Sequence, residues 1–170
     1  MPDARALFAD FDQEMATTRT LLERVPEDRA GWAPHPKSTT LGGLATHIPA
    51  LVGLAATAMV TEEVDMNPPG GGGYTPPGFT TTAALLAEFD AQVAKARAAI
   101  DAASDEELQV PWSLKTGGHT IFTIPRAAVV RSMVINHVVH HRGQLSVYLR
   151  LNDVPLPSIY GPTADTAAGA

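Results

Sequence analysis

Six histidines stand at positions 35, 47, 119, 137, 140 and 141. His137 and His141 are four apart in a helix-like repeat. That spacing puts both imidazoles on one face, with Cβ atoms about 6 Å apart. Two such rings can converge on one ion, each about 2.1 Å from it. His140 lies about 100° round the helix from that line and falls outside the pair. His47 sits in another apolar repeat, between Leu44 and Leu51. All three rings face a core, where an unpaired donor or acceptor costs a few kcal/mol. Three core-facing histidines on two helices fit a divalent metal site. Three protein ligands leave a position open, the catalytic rather than the structural pattern. Such an ion lowers the pKa of a bound water or thiol and makes a nucleophile near neutral pH. A second reading stays open: core histidines hydrogen-bonded to carbonyls. No glutamate stands beside either ligand of the pair, so the zinc-protease HExxH pattern is absent.

Four apolar repeats of helical period must position these rings. The first runs from about Asp3 to Val25 with Leu7, Phe11, Met15, Thr18 and Leu22 on one face, and Pro26 stops it. The second runs from about Thr40 to Val60, with Thr39 or Thr40 to cap it. Its Pro49 predicts a kink, which either is plain or helps to aim His47 inward. The third runs from about Thr82 to Ala103, and the fourth from about Pro125 to Leu151. Four amphipathic helices around one core predict an all-α four-helix bundle. Residues 109–124 read as a small hairpin before the last helix, joined at Thr116-Gly117-Gly118. Residues 26–39 read as an ordered loop around Trp32, and Trp32 and Trp112 as packing residues.

Residues 61–80 hold five glycines and four prolines, which predicts no regular structure. A loop of that length can cross a bundle from end to end, so helices 2 and 3 can run parallel. It reads either as a cover near the metal mouth or as a surface linker. Residues 1–160 read as one domain and 161–170 as a flexible tail.

Composition removes other classes. The chain has 170 residues and no cysteine, which excludes disulfides, thiolate metal sites and a cysteine nucleophile. Net charge is −6 without a basic run, against a nucleic-acid partner. The most apolar stretch, Ile48 to Val60, falls short of the roughly 20 residues of a membrane span. No targeting segment is visible, so a cytoplasmic protein without a membrane partner is expected. Arg142 follows the second ligand and shares its helix with Arg126, Arg131 and Arg150; most of the four read as solvated charges or helix-end partners. Asn136 and Gln144 flank the pair, placed either to orient a ring or substrate or to pack.

The stretches GWAPHPKSTTLGGLATHI (31–48) and PWSLKTGGHTIFTIPRAAVVRSMVINHVVHHRGQLSVYLRLNDVPLPSIYGPTAD (111–165) resemble the DinB family of DinB/YfiT-like metalloenzymes. The NHxxHHRGQLxxYLR block is the most specific part. The resemblance implies a four-helix bundle with long crossover connections. It implies zinc or nickel held by His47, His137 and His141, with His140 in the non-ligand place. It also implies a homodimer. Some relatives are transferases or isomerases that use a low-molecular-weight thiol such as mycothiol or bacillithiol. A chain without cysteine must take its thiol from a cofactor or substrate. The leading expectation is a metal-dependent transferase joining such a thiol to a small electrophile. A metal-dependent hydrolase and a non-enzymatic, metal-stabilised stress-response protein are the alternatives.

Overall fold

The structure is a computed structural model, and it describes residue 6 and residues 8–75 and 77–166. It is mostly helical, with a small three-stranded sheet. The elements are α1 (Phe11–Leu22), α2 (Leu41–Val60), β1 (Glu63–Asp65), α3 (Thr82–Ala102), a short α4 (Asp105–Leu108), β2 (Pro111–Thr116) and β3 (His119–Pro125). A last long helix, α5, is continuous through Arg126–Ala128, Val129–Asn136 and His137–Leu151.

The expected apolar faces are the buried ones. Phe11, Met15, Thr18 and Leu22 of α1 are all buried, as are Leu44, Ile48, Leu51 and Ala55 of α2. Of the first expected helix, residues 1–5 and Leu7 lie outside the described residues, and the regular helix begins at Phe11. Thr40 caps α2, its hydroxyl accepting from Gly43 N at 3.1 Å. Two more free N–H groups of that helix end reach the entry loop, Leu41 N to Trp32 O at 2.7 Å and Gly42 N to Ala30 O at 2.8 Å. Trp32 meets the Tyr148 ring edge-on at 5.6 Å.

Contacts along the helices give their directions. A Cβ on Gly42 would touch Phe79, and one on Gly53 would touch Gln92, so α2 and α3 run parallel. The 61–80 segment therefore returns along the full length of the pair. Arg19 pairs with Asp90 and Arg97 with Asp12, so α1 opposes α3. Arg131 bonds Asp10 while Arg142 bonds Glu14, so α5 runs with α1. Tyr148 lies by Thr39 and Arg126 by Thr61, so α5 opposes α2.

Three local features depart from the expectations. First, the 61–80 segment is not wholly irregular. Glu63–Asp65 pairs in parallel with Ser113–Lys115 and makes the hairpin a three-stranded sheet. The prolines and glycines that forbid a strand all follow Asp65. Second, α5 widens into a π-helix over Val129–Asn136, immediately before His137. Such wide turns are uncommon and tend to sit at functional sites. Third, Arg142 is not a solvated charge: it is 1% exposed. It pairs with Glu14 at 2.6 Å and also bonds the Tyr160 hydroxyl.

The hairpin turns at Gly117-Gly118, as expected, both with positive φ (59° and 80°). That pair of angles matches the right-handed twist of the strands and favours glycine. Trp112 is fully buried in a second small core with Ala58 and Val129, its indole N–H donating to Thr61 Oγ1 at 3.1 Å. Of the tail, residues 167–170 lie outside the described residues. In 161–166, Asp165 pairs with Arg150 and Thr163 donates to Leu156 O at 2.9 Å.

Leu41–Val60 is long and apolar enough to cross a membrane by length and composition, and half of that stretch is buried in the core. Its register there carries His47 to the face of α5.

Candidate metal centre

The packing of α2 against α5 brings His47, His137 and His141 together. One ring nitrogen from each lies within 4.8 Å of the others. The Nε2 atoms of His137 and His141 are 3.0 Å apart. The His47 ring centre lies 4.8 Å from that of His141 and 5.8 Å from that of His137. All three rings are partly buried. His140 is exposed, its ring centre 5.0 Å from that of His141 and 6.4 Å from that of His137. His35 and His119 are exposed, on the entry loop and at the start of β3.

Hydrogen bonds set the tautomer of His141. Its Nδ1 lies 2.7 Å from Oε1 of Gln144, one turn later. An amide oxygen only accepts, so Nδ1 carries the proton and Nε2 presents a lone pair to the other rings. This is the outer partner that a metal-ligating imidazole usually has. The His-x-x-Gln spacing was visible in the sequence, though it alone did not separate orientation from packing.

His137 is arranged differently. Its Nδ1 is buried and lacks a hydrogen bond of good geometry. The Met133 carbonyl acts on the ring from one turn earlier. With a cation at Nε2, the ring proton belongs on Nδ1, next to that carbonyl. That carbonyl is the outer partner the ring would take as a ligand.

The electrostatics keep the cluster neutral. Burial, then the neighbouring His141 and His137, push the His47 pKa down from 6.5 to about 4. His137 is lowered by burial and by His141 and His140. His141 is lowered chiefly by burial. Uncharged imidazoles are the form that binds metal. The donor set therefore fits a divalent cation of borderline softness, such as zinc or nickel.

Two cavities of about 400 Å³ each open on the cluster. One reaches His47 and His141 past Thr39, Gly43, Thr46 and Pro77. The other reaches His47 and His137 past Leu51, Leu54, Val64, Leu114 and Met133. Met66 and Tyr74 of the 61–80 segment also line this second cavity, and Pro77 lines the first. These wall residues carry no motif and no shared spacing, so sequence reasoning missed them.

The DinB superfamily profile matches residues 10–145. The chain belongs to the DinB superfamily. Two solved structures show the same fold at low identity. A DinB-like protein from Bacillus subtilis aligns with a TM-score of 0.68 and 17% identity, over 93% of this chain and 99% of its own. A DinB-like protein from Bacillus cereus ATCC 10987 aligns with a TM-score of 0.67 and 20% identity, over 92% and 97%. No curated protein matches the sequence. Within this superfamily fold, the three histidines form the cluster with the chemistry to hold a metal.

Proposed function

We propose that this DinB superfamily member is a metal-dependent transferase that joins a low-molecular-weight thiol to a small electrophile. Its four long helices are read as a four-helix bundle with one long crossover, and His47, His137 and His141 as the ligands of one zinc or nickel ion. The observation that carries this reading is that the cluster lines two cavities, His47 and His141 one, His47 and His137 the other. A two-substrate transfer needs two approaches to one reacting centre. A bound divalent ion supplies the chemistry of lowering a thiol's pKa toward neutrality.

The chain's own residues do the rest. Neutral imidazoles leave the charge of the ion undiminished. Gln144 holds His141 with its lone pair inward. In the transfer, the S–H bond is lost and a C–S bond forms. The leaving group departs with its electron pair, and the thiol proton passes to solvent. The protein contributes no sulfur of its own, since the sequence has no cysteine.

The same reading makes the protein a cytoplasmic homodimer that acts on small molecules, with neither nucleic acid nor membrane as partner. Exposed Ala94 and Ala98 on α3 are available to an interface, whereas Val129 is taken up by the second core.

The test is metal analysis of protein purified without chelator or nickel resin, followed by an electrophile panel with and without a small thiol. Turnover that requires both metal and thiol supports the proposal. Product formed without thiol would assign a hydrolase. A large metal-dependent rise in melting temperature without turnover would assign a non-enzymatic metal protein.

A further inference from the structure

The cavity on the His47 and His137 side has walls of unusual uniformity. Leu51 and Leu54 come from α2, Val64 from β1, Leu114 from β2, Met133 from the π-helical part of α5, and Met66 from the segment after β1. Val64 and Leu114 are register partners, so the small sheet presents a continuous apolar face to the helices. None of the lining residues is an Asp, Glu, Lys or Arg. Besides the two histidines, the polar side chains on the wall among the described residues are Thr57 and Tyr74. The Thr57 hydroxyl is already engaged with Gly53 O at 3.2 Å.

Along these walls, away from the histidines, a charged group would leave water without finding a counter-charge. A hydrocarbon surface would instead gain about 25 cal/mol for each Å² withdrawn from water. The volume, about 400 Å³, lies toward the small end of ligand cavities, which span roughly 300–1,000 Å³. Two methionine side chains let the wall adapt to differing shapes. The outer wall is held in place. Met66 N donates to Lys115 O at 2.9 Å, and Tyr74 N donates to Met66 O at 3.1 Å. The Asp65 carboxylate accepts from Gly117 N at 3.1 Å and Gly118 N at 2.7 Å, pinning the hairpin turn to the same segment.

We infer that this cavity binds a compact, uncharged, hydrocarbon-rich molecule, the electrophile of the transfer proposed above. The identification as electrophile rests on that transferase reading; the preference for a neutral apolar ligand rests on the walls alone. The other cavity, with the Thr39 and Thr46 hydroxyls on its wall, is left to the thiol.

The test uses protein labelled with ¹³C at the methionine methyls and titrated with 1-butanol, 1-hexanol, hexanoate and hexylammonium. Binding is read from the Met66 and Met133 signals, with core Met15 as the control. The neutral series is expected to move Met66 and Met133 saturably and to tighten about fourfold per added methylene. Hexylammonium, which cannot ligate a cation, is expected to bind at least tenfold more weakly than 1-hexanol, and hexanoate likewise once a chelator has removed any metal. A Leu114→Glu variant is expected to lose hexanol binding while keeping its metal content. If it does not fold, the wild-type series decides alone. Equal affinity for hexylammonium and 1-hexanol, or silent Met66 and Met133, overturns the inference. Hexanol binding in a protein that takes up no metal would keep the inference and remove the metal-dependent reading. Metal uptake with silent methionines would do the reverse.

Discussion

The guanidinium of Arg142 lies 2.6 Å from the carboxylate of Glu14, in a position where both are nearly withdrawn from water. Arg142 directly follows His141, so this contact fixes the rotation of α5 at the candidate ligands. Three further groups complete it: Glu14 O at 3.1 Å, Thr18 Oγ1 at 3.3 Å and the Tyr160 hydroxyl. Tyr160 in turn donates to Glu14 Oε2 at 2.8 Å. The C-terminal segment is thereby tied to α1.

Removing one member of a buried pair leaves the other charge unpaired, which costs about 3–5 kcal/mol. Arg142→Ala is therefore expected to lower the melting temperature by about 10 °C or more. Tyr160→Phe, which removes one hydroxyl from a half-open site, should lower it much less. Thermal unfolding followed by circular dichroism checks both. A melting point for Arg142→Ala equal to that of Tyr160→Phe would show that the pair contributes little.

His47→Ala and His137→Ala are expected to abolish stoichiometric metal binding. His140→Ala is expected to leave it intact, because that ring is exposed and lies outside the cluster. Elemental analysis of the purified variants decides the matter. Unchanged metal in His137→Ala would remove His137 from the ligand set.

Gln144→Ala tests the orienting bond to His141. Loss of an outer partner typically weakens metal affinity about 10–100-fold. The expected result is a weaker affinity by that margin with one ion still bound. Titration against a competing chelator measures it. An affinity within about twofold of wild type would assign Gln144 to packing, since outer partners cost more than that.

The helices were legible because their buried residues recur at helical spacing over many turns. Phe11, Met15, Thr18 and Leu22 needed no tertiary information. The hairpin was legible because Gly117-Gly118 is a turn signal between two β-favouring runs. The histidine cluster was legible in part, since two of its members share one helix face. β1 was not legible: three residues carry no periodicity, and a glycine- and proline-rich segment follows them. Arg142 was misread because its partner Glu14 lies 128 positions away, on α1. The apolar cavity was hidden for the same reason, as its walls come from five separate stretches.

Acidification should destabilise the metal-free protein. The pKa of His47 is about 4 in the fold, against 6.5 ordinarily, because burial and the two neighbouring rings oppose its charge. As pH falls below about 6.5, the unfolded chain takes up this proton first. The folded chain does so only near pH 4. The unfolded state binds more protons throughout that window, so stability is lost as pH falls across it and levels off below. His137 and His141 shift in the same direction. Melting temperatures of chelator-treated protein are expected to drop from about pH 7.5 to about pH 5, and His47→Gln should drop less. Parallel curves for the two proteins would show that His47 is not held neutral by its surroundings.

The 61–80 segment supplies the last test. Met66 and Tyr74 line one cavity and Pro77 the other, so the segment passes both openings to the histidines. Its central part, Pro68 to Gly73, includes Gly70, Gly71 and Gly72 at positive φ, where a Cβ would meet open space. That stretch spans between the anchored Met66 and Tyr74, with Pro69 beside Gly118 and Gly73 against Met66 and Asn67. Replacing residues 68–73 by a short Gly-Ser bridge should leave metal affinity unchanged, since no histidine moves. It should loosen the Tyr74 tether and speed the exchange of ligands at the ion. Stopped-flow measurement of thiol binding to cobalt-loaded protein reads that rate. A segment that covers the mouth predicts faster exchange in the shortened protein. Identical rates in the two proteins would make the segment a surface connection and nothing more.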